Sequence, residues 1–415
     1  MSRRVYLSLA LAVLCPGATV WAGPNPLGSP FPLSACADCA KQSPRVAGTP
    51  SGAFLAVWQG ESGVGSLLSS VPARLFTSAG IPQGGEFAVD SRAVGQQAGG
   101  AVAADLQGSF VVVWSAEAGG QSDVFAQRYT PRGRAVGPVI PVSADAPTSP
   151  VPPNDTLPAV AKSADGGFAV AWVSLVPAGN SQNGEAPRVL ARRFSPSGAP
   201  LGPPVQVNSG LVSGDRPDLC VDTAGRPVVA WASVDGYFPF QPSKKGISAR
   251  RLTPTGAPTG TEIVVSPPTN GDAAAAVSCG PGNTFVVAWQ GDQGPLAADR
   301  GEILAQRFTR LARFSGPAFR VNTATAGDQS QPRVAFDPTG AFVVVWESRT
   351  PVGKTGVFAR RFLNGSPTGA DVAVDFPLRD ALDPQPDVTP IGTAGNFLVV
   401  WRDGQANLFG QRFSP

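Results

Sequence analysis

Histidine is absent from all 415 residues. That excludes a Ser-His-Asp triad, a Cys-His pair, imidazole metal sites and haem held by an axial histidine. An enzyme built from this chain would have to work with carboxylates, Tyr, Lys or Arg. Charge is scarce at 15%, and it is nearly balanced, with 32 basic and 29 acidic residues. A balance that close excludes the basic face that nucleic acid requires, so no nucleic-acid partner is expected. Long apolar runs are missing too. Val5–Leu14 is too short to span a bilayer, and nothing later is longer, so no transmembrane segment is expected.

That short run has another reading. Arg3 and Arg4 precede it, and Val20-Trp21-Ala22 follows with residues a signal peptidase accepts. Residues 1–22 are therefore expected to be a secretory signal, cut after Ala22. Lipidation at Cys15 is the weaker reading, because Leu14 suits that position poorly. Without Arg3 and Arg4 the chain carries 30 basic against 29 acidic residues.

Glycine (49) and proline (43) are abundant, yet hydrophobic residues make up 42% of the chain. Disorder needs low apolar content. Here the apolar residues come in short periodic runs, so Gly and Pro punctuate many turns, as in an all-β protein.

One phrase recurs seven times: an apolar run ending in Trp, a variable loop, then a segment such as Val124-Phe-Ala-Gln-Arg-Tyr129. The anchors are Trp58, Trp114, Trp172, Trp231, Trp289, Trp346 and Trp401, spaced by 56, 58, 59, 58, 57 and 55 residues. In one unit, Pro332–Asp337 alternates as a first strand, a. The segment Asp337-Pro-Thr-Gly340 is a tight turn, because Pro presets φ and Gly accepts a positive one. Ala341–Trp346 is a second strand, b, apolar throughout and so buried on both faces. Val357–Phe362 forms a third, c, and Asp371–Asp375 a weaker fourth, d. One such sheet cannot fold alone. Seven packed face to face around an axis bury both faces of strand b, which predicts a seven-bladed β-propeller of four-stranded antiparallel blades.

The seventh unit has no strand d after Gly410–Pro415. Ahead of the first unit, Phe31 precedes Pro44 by the same interval that separates Phe319 from Pro332. Residues near 29–34 are therefore expected to complete the last blade and close the ring. Residues 23–415 then form one domain, expected to be monomeric. The seven Trp residues share one register and are expected to pack between blades, although sugar-stacking platforms are the alternative reading. The recurrent Arg128, Arg193, Arg251, Arg307, Arg361 and Arg412 are expected to stack on rings or bond blade-edge carbonyls.

At the level of the repeat, Asp165-Gly-Gly-Phe-Ala-Val-Ala-Trp172, Val124–Tyr129 and Arg320-Val-Asn322 resemble the tandem units of large exported bacterial surface proteins of adhesin-like type. The resemblance covers essentially residues 29–415. It implies an exported repeat protein, and it implies neither a reaction nor a ligand. Such units often accompany calcium-binding nonapeptides. No Gly-Gly-x-Gly-x-Asp series occurs here, so calcium does not carry over.

Four cysteines remain after residue 22. Cys36 and Cys39 read as a short local disulfide, since neither a following His nor a second Cys-x-x-Cys supports haem or zinc. Cys220 and Cys279 lie one repeat apart, and a bridge between neighbouring inner strands is open to them if their Cα atoms come within ~7 Å. No metal and no cofactor is expected.

Binding is expected on the face where the b–c loops emerge, because those loops vary on a rigid ring. The fourth loop gathers Tyr237, Phe238 and Phe240 with Lys244 and Lys245, a contact surface for a protein or glycan; the alternative is rings folded back over the blade edge. Acidic residues recur on the same face. Asp155, Asp215, Asp272, Asp328 and Asp383 lead into the inner strands and are expected nearest the axis, where an acidic funnel could hold a cation or perform glycosidase-like acid–base work. Solvated turns are the simpler reading. The uniform repeats and irregular outer loops favour a non-catalytic binding module, secreted, periplasmic or on the cell surface. The alternatives are a carboxylate-dependent carbohydrate-active enzyme and a structural spacer.

Overall fold

A computed structural model describes residues 24–36, 39–61, 69–90, 95–118, 120–143, 154–176, 186–209, 211–212, 216–235, 244–269, 272–291, 301–375, 379–380 and 383–415. The expected signal segment 1–22 lies outside these. The described residues form seven antiparallel sheets, one per repeat, in a seven-bladed propeller. In blade 2 the strands run from the axis outward as Gln97–Ala104, Phe110–Ala118, Gln121–Tyr129 and Ala135–Pro141.

Each second strand is the buried centre of its blade. Phe110, Val111, Val112, Val113 and Trp114 are all 0% exposed. Alternate residues face opposite neighbours: Phe110, Val112 and Trp114 pack with Leu55 and Val57 of blade 1, while Val111 and Val113 pack with Phe168, Val170 and Trp172 of blade 3. This two-sided burial explains why no polar residue interrupts the run. All seven repeat tryptophans are buried, none more than 2% exposed.

The turns between first and second strands are tied by an aspartate. Asp337 accepts from the amides of Thr339 (2.8 Å) and Ala341 (3.1 Å), and Gly340 takes φ +88°. Asp105 and Asp222 cap their own turns in the same way.

The ring closes through the N-terminal segment. The last blade contains Asp387–Pro390, Phe397–Arg402 and Leu408–Ser414. Its outer edge is completed by Asn25–Pro26 and Phe31–Pro32, with Phe31 opposite Gly410. Leu33 is 0% exposed and packs with Val46, Phe54 and Trp58 of blade 1 and Leu398 and Val400 of blade 7. Two disulfides are formed, Cys36–Cys39 and Cys220–Cys279. The second staples the inner strands of blades 4 and 5, whose Cα atoms stand 5.5 Å apart. Disulfides of this kind persist in oxidising surroundings. No helix among the described residues is long and apolar enough to cross a membrane.

Candidate functional site

The inner strands share a defect that shapes the axis. The ladder to the second strand shifts register between Gln42 and Arg45, Ala98 and Ala101, Thr156 and Ala159, Ala273 and Ala276, and Ser330 and Arg333. Within each shift one residue takes a positive φ: Ser43, Gly99, Leu157, Ala274 and Gln331, with Gln385 matching them in blade 7. These are β-bulges, which re-aim the flanking side chains. They recur in polar and apolar blades alike, so they belong to the scaffold.

After the bulge, each strand presents one residue paired with the residue before the repeat Trp. Around the ring these are Arg45, Ala101, Ala159, Asp218, Ala276, Arg333 and Asp387. Small residues occupy blades 2, 3 and 5, and charges occupy blades 1, 4, 6 and 7. The axial cavity has a volume of about 500 Å³ and is lined by the four charged residues, Ala101 and Ala159 together with Arg216 and Gln331, blade 5 contributing Ala275 in place of Ala276. That falls within the roughly 300–1,000 Å³ of small-molecule sites.

The cavity aspartates are tied to the next blade. Asp387 Oδ2 accepts from the Val46 amide at 2.9 Å, linking blade 7 to blade 1. Asp218 Oδ2 accepts from Val277 at 2.9 Å, linking blade 4 to blade 5. Arg216 reaches from blade 4 to the Gly99 carbonyl of blade 2 at 2.8 Å. Burial, and then the Arg333 charge, lower the Arg45 guanidinium to about 10. Arg216 is pushed well below the ordinary arginine value, by burial first and then by Arg45 and Arg333. Burial raises Asp218.

A polar arc lies at the end of the cavity where the inner strands enter. Gln331 Nε2 donates to Asp383 Oδ1 at 3.0 Å, and Gln385 Nε2 donates to Asp383 Oδ2 at 2.8 Å. The Gln385 side-chain oxygen accepts from Ser43 of blade 1. Buried Glu347 accepts from the Gln385 amide at 2.6 Å. Its carboxyl is pushed up to about 9 by burial first, then by a hydrogen bond to Asp383 and that residue's charge. Glu347 therefore holds a proton at neutral pH.

The described acids expected at the axis do not line the cavity. Asp155, Asp272, Asp328 and Asp383 are not among the residues lining the cavity, and Asp215 lies outside the described residues. Asp155 and Asp272 precede the bulge, so they turn between blades. Asp155 sits beside Ser174, Ser143 and the Trp172 indole, and burial raises its carboxyl. Asp272 accepts from Ser266 of the preceding blade. Asp328 stands opposite Arg349, farther from the axis along its strand. Asp383 alone approaches the cavity, through Gln331. The axial charge is thus three arginines against two aspartates, the reverse of an acidic funnel.

The fourth b–c loop, with Tyr237, Phe238 and Phe240, lies outside the described residues, as does the side chain of Lys244. Lys245 is half-buried in the third strand of blade 4, paired with Val234 and Thr269. The irregularity that sequence reading located in the outer loops is therefore present at the axis as well. A signal for it existed: thirteen residues before each of the first six anchors the chain reads Arg45, Ala101, Ala159, Asp218, Ala276 and Arg333, and Asp387 lies fourteen before Trp401. Charges in a column otherwise held by alanine mark positions the repeat itself does not demand.

No family model matches the chain, and no curated protein matches it. Solved structures share the fold at low identity. The BP39L lectin of Burkholderia pseudomallei has a TM-score of 0.57 at 15% identity, covering 93% of this chain and 99% of the lectin. A protein of unknown function from Dyadobacter fermentans DSM 18053 has a TM-score of 0.56 at 11% identity, covering 94% and 99%. The α-L-arabinanase of Penicillium chrysogenum, solved with arabinobiose, has a TM-score of 0.51 at 12% identity, covering 94% and 98%.

Proposed function

We propose that the protein is an exported, non-catalytic binding module that takes a small polar ligand in its axial cavity. The observation that carries this reading is the broken symmetry of the axis. The scaffold repeats seven times, yet charged and amide side chains replace small ones at the axis on some blades only. A purely structural ring needs no such departure. Ligand would enter from the face where the b–c loops emerge, since Gln331, Gln385 and Ser43 stand at that end. The two disulfides support work in an oxidising compartment, at the cell envelope or outside the cell. A lectin and a glycosidase on the same fold make a glycan a reasonable ligand class.

Among the described residues the Glu347–Asp383 pair is the feature favouring an acid–base enzyme, but its hydrogen bonding suits that role poorly. Glu347 accepts from the Gln385 backbone amide and Asp383 from the Gln385 and Gln331 side chains, so both carboxyls are committed to the scaffold. The proposal is tested with a glycan array and a turnover screen on the wild type and Ala159→Phe, which fills the apolar side of the cavity. Binding lost in the variant, with its melting curve retained and no turnover in either protein, is the expected result. Equal binding by both proteins would remove the axial site, and turnover by the wild type would overturn the non-catalytic reading.

A further inference from the structure

We infer that the axial cavity is a site for a small organic monoanion, a carboxylate gripped by Arg45, Arg216 and Arg333. The inference rests on the axial-binding reading and gives its ligand a chemical class. The first argument is the donors left over. Among the described residues, Arg45 and Arg333 each make one hydrogen bond, to the carbonyl of the proline preceding them, at 2.8 and 2.9 Å. Arg216 makes one, to Gly99. A guanidinium carries five N–H donors in a planar fork. Most of these donors therefore remain uncommitted on three side chains that line one cavity.

The second argument is charge. The charged residues lining the cavity are three arginines and two aspartates. Both aspartates already accept backbone amides of the next blade, Val46 and Val277. One positive charge is left over inside the lining, while Asp383, held at the rim by two glutamine amides, adds the weakest of the attractions on Arg45. Like charges confined away from bulk water repel strongly. Burial first, and then that repulsion, lowers Arg45 and Arg216. A monoanion relieves it, whereas a dianion would overcompensate. Bidentate Arg–carboxylate pairing supplies geometry as well as energy.

The third argument is shape. Away from Arg45 and Arg333, blades 2, 3 and 5 line the cavity with the apolar Ala101, Val102, Ala159, Val160 and Ala275. An inorganic ion would leave that wall unused. A carboxylate on a carbon skeleton, such as an acidic sugar, meets both halves.

The test is isothermal titration of the full disulfide-bonded chain with D-glucuronate, D-galacturonate and benzoate. D-Glucuronamide, D-glucose and inorganic phosphate are the comparisons. At least one carboxylate is expected to bind at least tenfold more tightly than the neutral sugars. Arg333→Gln and Arg45→Gln are each expected to weaken it at least tenfold while the melting curve persists. The acid–amide comparison on the wild type decides the matter even if a variant fails to fold. Equal binding of glucuronate and glucuronamide overturns the anion assignment and leaves the axial-binding reading standing. Phosphate binding tighter than every carboxylate overturns the carboxylate class. Absence of binding by all three carboxylates overturns the inference, and indifference of a glycan-array ligand to Ala159→Phe overturns the reading beneath it.

Discussion

Arg412 Nη1 donates to the carbonyl of Ser78 at 2.9 Å, a bond that joins blade 7 to the outer turn of blade 1. The same latch recurs around the ring. Arg128 reaches Pro196 at 2.8 Å, Arg193 reaches Pro254 at 3.1 Å, and Arg251 reaches Arg310 at 2.6 Å, each on the following blade. Arg307 does the same with Asn364. In blade 6 the pattern changes, and Arg361 pairs with Asp337 of its own blade at 2.8 Å. The third-strand arginine is thus a blade-to-blade tie in five of these six repeats and a tie within the blade in the sixth.

Ring closure should show in stability. Leu33 is fully buried against blades 1 and 7. Leu33→Ala is expected to cost about 2–5 kcal/mol in urea unfolding. Deleting residues 24–34 should cost more and lower the melting of the whole ring in one transition. An unchanged melting curve would contradict closure by this segment.

The inner seam between blades 7 and 1 makes a sharper test. A Cβ on Gly48 would stand 2.2 Å from the Pro390 carbonyl oxygen. Gly48→Ala should therefore destabilise by more than about 1 kcal/mol. Gly85→Ala, with nothing within 4 Å, should change little. Similar melting of the two variants would show that the seam has slack.

The Cys220–Cys279 bridge spans 59 residues. Chain-entropy reasoning assigns such a loop about 4 kcal/mol. Cys220→Ser with Cys279→Ser, or mild reduction, is expected to lower the urea midpoint without loss of strand signal by circular dichroism. An effect below about 1 kcal/mol would mean that inter-blade packing already restricts the unfolded chain.

Glu347 sets a pH dependence. Its carboxyl titrates near 9 in the folded chain against an ordinary 4.5, through burial first and then Asp383. Between those values the folded chain holds one more proton than the unfolded chain, so stability falls as pH rises. The contribution is complete below about pH 4.5 and lost by about pH 9, at no more than roughly 1.4 kcal/mol per pH unit. Glu347→Gln should flatten this slope in urea melts at pH 5, 7 and 9. Parallel slopes in variant and wild type would refute the raised Glu347 carboxyl.

Much of this molecule was legible before its structure. The seven tryptophans set the blade count, because burial on both faces of a second strand demands an unbroken apolar run ending at the same register each time. The Phe31–Pro44 interval located the closing strand, since it copies the interval between an outer strand and the next inner one. The axial acids were not legible in the same way. Asp155 and Asp272 do lead into inner strands, but they precede the bulge; the residues that line the cavity come after it, Ala159 in the strand of Asp155 and Arg45 and Arg333 at the matching positions of blades 1 and 6.

The sequence by itself therefore determined the scaffold, because period, turn chemistry and apolar register are local properties repeated seven times. Only the tertiary structure decided what the axis contains. Arg45, Arg216 and Arg333 are far apart along the chain, and they share one cavity of about 500 Å³ because the closed ring brings every inner strand to the same line. Burial within that line, which no single repeat possesses, gives three surface-type side chains a shared electrostatic problem and a site where an anion would solve it.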